Sequence, residues 1–490
     1  MIASGPPAIV WFRDDLRLSD NPALEAAARS GGPVIPLYID SGGGKTLWAP
    51  GGATRWWLHH SLLSLRRSLE SIGSRLILRP GPAPAAVGEL VRETGARVVY
   101  WNRRYGPQEV ADDTEVRSAL SGGGVLAESF NASLLFAPWS IRNSSGNPFR
   151  VFTPFWRACR SDPAQPHLPR SRPKGPLPVP AAWPGNLALE ELALKPSIDW
   201  AGGLRRTWKP GEEGANGQLE EFLQNGLPDY PRQRDVPAVS GTSRLSPHLR
   251  FGEISPRRIW HSVRDAIDAA GNACVREAGE AFLRQLGWRE FAYHLLINYP
   301  ESAEQPLRPE FLRFPWRNSA RELKAWQRGR TGYPLVDAGM RELWATGWMH
   351  NRVRMVAASF LTKDLMLPWL SGARWFWDTL VDADLASNTL GWQWTAGCGA
   401  DAAPYFRVFN PASQGQKFDP EGHYIRRWIP ELARLPAPWI FRPWEAPAEL
   451  LAQAGVRLGN SYPRPIVDRA KARERALAAY YGLRKSSGSL

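Results

Sequence analysis

Four short apolar runs mark the first 135 residues: Ala8–Arg13 (AIVWFR), Pro33–Asp40 (PVIPLYID), Arg75–Arg79 (RLILR) and Arg97–Asn102 (RVVYWN). They read as buried strands. Between them, apolar residues at three- and four-residue spacing predict helices over Pro22–Arg29, Thr54–Ile72, Pro84–Thr94 and Pro107–Leu120. Strand–helix alternation of this kind implies a parallel sheet with right-handed crossovers. Residues 1–135 are therefore expected to form an α/β Rossmann-like domain. No GxGxxG follows the first strand, which argues against a dinucleotide clamp there.

From Asp162 to Pro184 the chain turns to Pro, Arg, Lys and Ser, the composition of an extended, solvated connection. A long Pro-rich linker is expected over 136–203. Beyond about Leu204 the apolar spacing is helical almost throughout, so 204–482 reads as an all-α domain of roughly 280 residues. Residues 483–490 form a short tail.

The 490 residues carry a formal charge of +14, which suits a polyanionic partner, nucleic acid first; an Arg-rich proteome without that role would look the same. Three scattered cysteines, Cys159, Cys274 and Cys398, argue for a reducing compartment and against a disulfide framework. No signal-peptide pattern opens the chain, and no apolar run approaches the roughly 20 residues needed to span a bilayer. A cytoplasmic location is expected. Twenty-four tryptophans suit a packed core, and equally suit base stacking or electron passage through indoles.

Three segments carry candidate chemistry. In Thr242-Ser243-Arg244-Leu245-Ser246-Pro247, hydroxyl residues run into a proline at an expected helix start, either an ordinary cap or a phosphate site. In the second, Trp348, Asn351, Arg352 and Met355 follow i, i+3, i+4, i+7 spacing and would share one helix face. An indole, amide, guanidinium and thioether together suit a pocket wall that meets a polar ring system. In the third, Asp382, Asp384 and Asn388 precede Trp392 and Trp394. A metal site, a cap-rich loop and a ligand pocket all fit; no histidine lies nearby, and no metal is expected.

Together these segments resemble the photolyase/cryptochrome family over nearly the whole chain. The resemblance rests on VWFRDDLRLSDNPAL, TSRLSPHLRFGEIS, GWREF at Gly287–Phe291, ATGWMHNRVRM and DADLASNTLGWQWTAGCGADAAPYFRVFNP. It is strongest toward photolyases of class I type acting on cyclobutane pyrimidine dimers. It implies FAD in the helical domain and a basic face through which a damaged dinucleotide flips, as chemistry on a stacked base requires.

The resemblance also implies roles, position by position. Tyr230, Thr242, Ser243, Arg244, Leu245 and Ser246 match FAD phosphate contacts. Asn351, the Arg354–Asp382 pair, Asp384 and Gln285 match flavin neighbours. Asn388 matches the residue at flavin N5; an amide there tolerates the reduced anionic flavin better than a carboxylate. Trp392, Trp369 and Trp316 match an electron-transfer chain running outward. Trp288 and Trp394 match walls stacked on the lesion, and Met355 the thioether touching it. Relatives that repair 6-4 lesions carry His at the Met355 position, and Met cannot transfer a proton. Gln285 stands where dimer photolyases carry Glu, which predicts reduced efficiency or wider lesion tolerance. Arg234, Arg352, Arg407 and Lys417 match phosphate contacts on UV-damaged DNA. Glu109 matches a folate-contacting Glu, which favours a methenyltetrahydrofolate antenna over deazaflavin. A monomer is expected. The alternatives are a 6-4 or dual-specificity photolyase, kept open by Gln285, and a cryptochrome-type receptor.

Overall fold

The computed structural model describes residues 5–42, 46–161, 166–173, 175–402, 404–405 and 407–487. Parts of the expected linker (162–165 and 174) and of the tail (488–490) lie outside the described residues, as do 1–4 and 43–45 of the first domain. The chain divides into two compact units, 1–228 with 243–300, and 229–242 with 301–490.

The first unit is built on a five-stranded parallel sheet in the order β3-β2-β1-β4-β5. The strands are β1 (Ala8–Phe12), β2 (Val34–Asp40), β3 (Ile77–Pro80), β4 (Val98–Asn102) and β5 (Leu126–Phe130). Crossover helices α1 (Pro22–Arg29), α2 (Gly52–Glu70), α3 (Ala83–Thr94) and α4 (Pro107–Gly122) join them. β1 is buried at every position because β2 and β4 flank it and helices cover its faces. Ile9, Trp11, Ile35, Leu37, Ile77, Val99 and Trp101 make one continuous core. β5 is the strand that the apolar runs do not reveal. It is an edge strand with no fully buried residue, so its sequence, LAESF, keeps polar positions.

The stretch expected as linker holds a helix of its own, α5 (Phe152–Cys159), which buries Phe152, Phe155 and Cys159. α5 packs on a 26-residue helix later in the chain, α7 (Ala273–Asn298), which also packs on α6 (Pro256–Ala270). Arg17 is 2% exposed and ties the sheet to the rest of this unit, donating to the carbonyls of Gly252 and Ala132.

The second unit is helical: α8 (Ala320–Gln327), α9 (Pro334–Thr346), α10 (Asn351–Ser359), α11 (Trp369–Thr379), α12 (Leu385–Ala396) and α13 (Pro411–Phe418) are its main elements. α10 runs on into a π turn, Phe360–Asp364, closed by the Leu365 N–H on the Phe360 carbonyl at 2.9 Å. Among the described residues, no helix is long and apolar enough to cross a membrane.

Candidate functional site

In the first unit, the hydroxyl-rich segment 243–246 leads into a five-residue helix, Ser246–Arg250. Its cap differs from expectation. Leu245 occupies the N-cap, no side chain caps the helix, and Pro247 follows Ser246 inside the first turn. Arg244 turns the backbone with φ of 51°, uncommon for a residue with a Cβ, and its guanidinium lies 4.4 Å from the Trp208 ring centroid. Ser243 Oγ accepts from Leu245 N at 3.4 Å. Behind this turn, His248 is hydrogen-bonded to Glu253, whose other oxygen accepts from Trp57 Nε1 at 2.9 Å. All three are buried, so the turn stands on a fixed base.

Gln285 and Trp288 lie one turn apart on α7, as their spacing requires. Gln285 Nε2 is 3.3 Å from the Ala281 carbonyl of its own helix. Trp288 carries a partner that the motifs do not reveal. Phe152 of α5 lies face to face with it, centroids 3.8 Å apart and planes 7° from parallel, with Arg284 over the Phe152 ring at 5.4 Å. One face of the indole is therefore taken. Glu109 sits in the first turn of α4, its carboxylate folded against Gly106 at the N-cap.

In the second unit, α10 begins at Asn351, with His350 as the cap. Trp348 therefore precedes the helix instead of sharing its face, a correction to the i, i+3, i+4, i+7 reading; Gly347, at φ 68°, ends α9 and breaks the helical path. Asn351 and Met355 do share a face, with Nδ2 4.0 Å from Sδ. Arg354 donates from Nε to the Met349 carbonyl at 2.7 Å and from Nη2 to Asp382 Oδ2 at 2.8 Å. The pair is thereby held at both ends, with the Asp382 side chain 3% exposed. Asp384 caps α12 by accepting from Ser387 N at 2.8 Å. Asn388 Nδ2 donates to the Ala373 carbonyl of α11 at 3.1 Å, which leaves its own oxygen as an acceptor.

Trp392 is buried between helices, with Phe376 of α11 at 5.0 Å and Trp326 of α8 at 6.1 Å. Trp369 is buried at the start of α11, and Trp316 is half-buried in the extended stretch before α8. Exposure thus rises in the order 392, 369, 316. Trp394 is half-buried on α12. Trp326 escapes the motif reading; its Nε1 donates to the Ala357 carbonyl at 3.0 Å.

The expected phosphate contacts partly converge. Arg352 and Lys417 both lie over the Phe418 ring, at 4.5 and 5.1 Å, and Arg352 pairs with Asp235 at 2.9 Å. Arg234, next to Asp235, lies over buried Tyr230 at 5.3 Å. Thr242 ends the same 229–242 segment. Arg407 is exposed in an irregular stretch before α13. Burial pushes His350 down to about 4, so it stays neutral beside these cations at pH 7.

This donor set fits FAD. An anchored guanidinium suits an anionic ring, and an amide with a free acceptor suits a ring N–H. The set offers no cluster of three or more acidic, His or Cys groups among the described residues for a metal instead.

Residues 282–482 match the family model for the FAD-binding domain of DNA photolyase, and residues 8–174 match that for DNA photolyase. A deoxyribodipyrimidine photo-lyase of Agrobacterium fabrum is 50% identical over 98% of this chain and 99% of its own. Cryptochrome-1 of Arabidopsis thaliana is 44% identical over 99% of this chain and 72% of its own. A crystal structure of a bacterial class III photolyase from Agrobacterium tumefaciens superposes with a TM-score of 0.94, at 49% identity and 99% coverage of both chains. That likeness is to a class III protein, where the motifs lean to class I.

Proposed function

The chain belongs to the photolyase/cryptochrome family and is an enzyme of the deoxyribodipyrimidine photo-lyase kind, and from that premise we propose that it repairs cyclobutane pyrimidine dimers in UV-damaged DNA using light. Bound FAD, working in its reduced anionic form, supplies the electron that opens the cyclobutane ring and regains it afterwards. The chain's own work is to bind, orient and shield.

Arg354, fixed by Met349 and Asp382, offsets the negative charge of the ring system. Asn388 offers its amide oxygen to the N5 proton without adding a second negative charge beside an anion. Tyr230, Thr242 and Ser243 to Ser246 hold the phosphates. Trp288, backed by Phe152, offers its open indole face to a flipped pyrimidine, and half-buried Trp394 offers a second indole, with base–indole stacking worth about 1–3 kcal/mol per base. Arg234, Arg352, Arg407 and Lys417 take backbone phosphates, which makes affinity fall steeply with salt and vary little with sequence. Trp316, Trp369 and Trp392 would carry electrons inward from an external one-electron reductant to a cofactor that had become oxidised. A folate antenna at Glu109 completes the proposal, and chromophore released from purified protein identifies it.

The observation that carries the choice of lesion is Met355, beside Asn351 on α10. A thioether offers contact area and no titratable proton, which suits ring opening by electron transfer alone. Duplexes carrying one defined lesion, cyclobutane or 6-4, illuminated with the reduced protein and compared with dark controls, test it. Restoration of the cyclobutane lesion alone is expected. Restoration of 6-4 lesions makes the protein a dual or 6-4 enzyme, and no restoration of either leaves a receptor.

Gln285 sets the efficiency. A glutamine donates a hydrogen bond to a thymine carbonyl but has no acidic proton for the reduced dimer. Gln285→Glu is expected to raise the photon yield on thymine dimers severalfold, the effect of one stronger, charge-assisted hydrogen bond. An unchanged yield would separate this position from repair.

A further inference from the structure

The stretch carrying Arg407 lies outside any helix or strand, yet three side chains of the helical core grip consecutive backbone groups in it. Lys363 Nζ donates to the Arg407 carbonyl at 2.9 Å. Arg469 donates to the Val408 carbonyl at 3.3 Å, and Ser359 Oγ accepts from Phe409 N at 3.3 Å. Lys363 reaches its carbonyl from the π turn Phe360–Asp364, an irregularity found frequently at functional sites.

A lysine at 1% exposure is costly for packing alone, since a methionine of the same length would fill the space without desolvating a charge. The groups around the ammonium are Asp364 on its own turn, Cys398 after α12, and Tyr405 and Arg407 from the gripped stretch. Its nitrogen lies 5.1 Å from the Tyr405 ring centroid. Burial brings the amine down to about 8, opposed by Asp364 and reinforced by Arg407. Asp364 is itself buried, and burial pushes its carboxyl up to about 7 against the opposing pull of the Arg469 guanidinium, whose Nε lies 3.7 Å away. Burial pushes the Cys398 thiol up to about 12, so it stays neutral.

We propose that Lys363 is a positioning residue for DNA binding: its ammonium locks the backbone at Arg407 so that the guanidinium stands ready for a phosphate. The inference rests on the reading of Arg407 as a phosphate contact. Locking in advance removes an ordering cost that binding would otherwise meet.

The test uses the FAD-loaded protein and a duplex carrying one cyclobutane dimer. Lys363→Met is expected to weaken binding about tenfold, the size of one charge-assisted hydrogen bond. Amide exchange at residues 407–409 should quicken while α10 keeps its protection. Wild-type affinity should decline between about pH 7 and 9, as the amine loses its proton, and the decline should vanish in Lys363→Met. Lys363→Arg, charged throughout, should bind well at both ends of that range. In an Arg407→Ala background, Lys363→Met should add nothing, because both act through one contact. If Arg407→Ala leaves affinity unchanged, the phosphate-contact reading fails and the proposal falls with it. If Arg407→Ala weakens binding while Lys363→Met does not, or adds its full loss in the double variant, the positioning role alone is overturned.

Discussion

Arg354→Met should yield a protein that loses most of its FAD on dialysis, with affinity about thirty- to a hundredfold weaker, or about 2–3 kcal/mol. The guanidinium is fixed from two sides, by the Met349 carbonyl and by Asp382, so in the proposed role it would meet the ring system with little left to order. Removing it does two things at once. The anionic ring loses a fixed counter-charge, and the Asp382 carboxylate stays buried without this cation, the situation in which breaking an ion pair is costlier than never having had it. The Arg354 side chain is 23% exposed, which holds the loss below that of a fully buried pair. Asp382→Asn should lose less, because an amide still accepts from Arg354. Equilibrium dialysis with fluorescence of the released flavin measures both. Retention within twofold of the unaltered protein would remove Arg354 from the flavin's surroundings.

Gly372→Ala should destabilise the protein, although alanine ordinarily improves a helix interior by about 1 kcal/mol. A Cβ at 372 would stand 2.0 Å from Trp392 Cη2, 2.5 Å from Cζ3 and 2.6 Å from Leu361 Cδ2. The indole has nowhere to retreat. Phe376 meets it edge-on at 5.0 Å and Trp326 at 6.1 Å, and Trp326 is pinned by its own hydrogen bond to Ala357. Overpacking of this kind costs about 1–3 kcal/mol, and the rigid surroundings put this site at the upper end, so a net loss of up to about 2 kcal/mol is expected after the helix gain. Chemical denaturation of the FAD-loaded variant reads it directly. An unchanged or raised midpoint would mean that α11 and α12 do not close on Trp392 as described.

The architecture was legible because its signals are local and repeated. Four of the five strands are unbroken apolar runs, and the helices between them begin at proline or end near glycine. β5 was missed because none of its residues is fully buried, so burial does not hold its composition apolar, whereas the other edge strand, β3, buries Ile77 and Leu78. α5 was missed for the opposite reason. It lies beside a Pro-rich stretch, and its apolar face answers to α7, more than a hundred residues away, a long-range pairing that no window of sequence contains.

The candidate site divides the same way. The Arg354–Asp382 pair is visible as two charges in separate motifs, and the structure joins them at 2.8 Å. The single-face reading of Trp348 failed because spacing assumes a continuous helix, while Gly347 and His350 place the helix start at Asn351. The leucine cap at 245 was hidden because the hydroxyls of the neighbouring residues imitate a capping sequence. Phe152 behind Trp288 and Lys363 beneath Arg407 carry no motif at all. Their meaning is in what they touch.

The bond from Asn388 to Ala373 reaches beyond the flavin's chemistry. It spends one of the two N–H donors of that side chain on a neighbouring helix, one residue from the glycine that lets the same two helices meet. Exchanging the amide for a carboxylate would therefore alter two things together, the charge offered to the ring and the stitch that holds the helices in register. A substitution at this position therefore acts on the architecture of the helix pair as well as on whatever the pair holds.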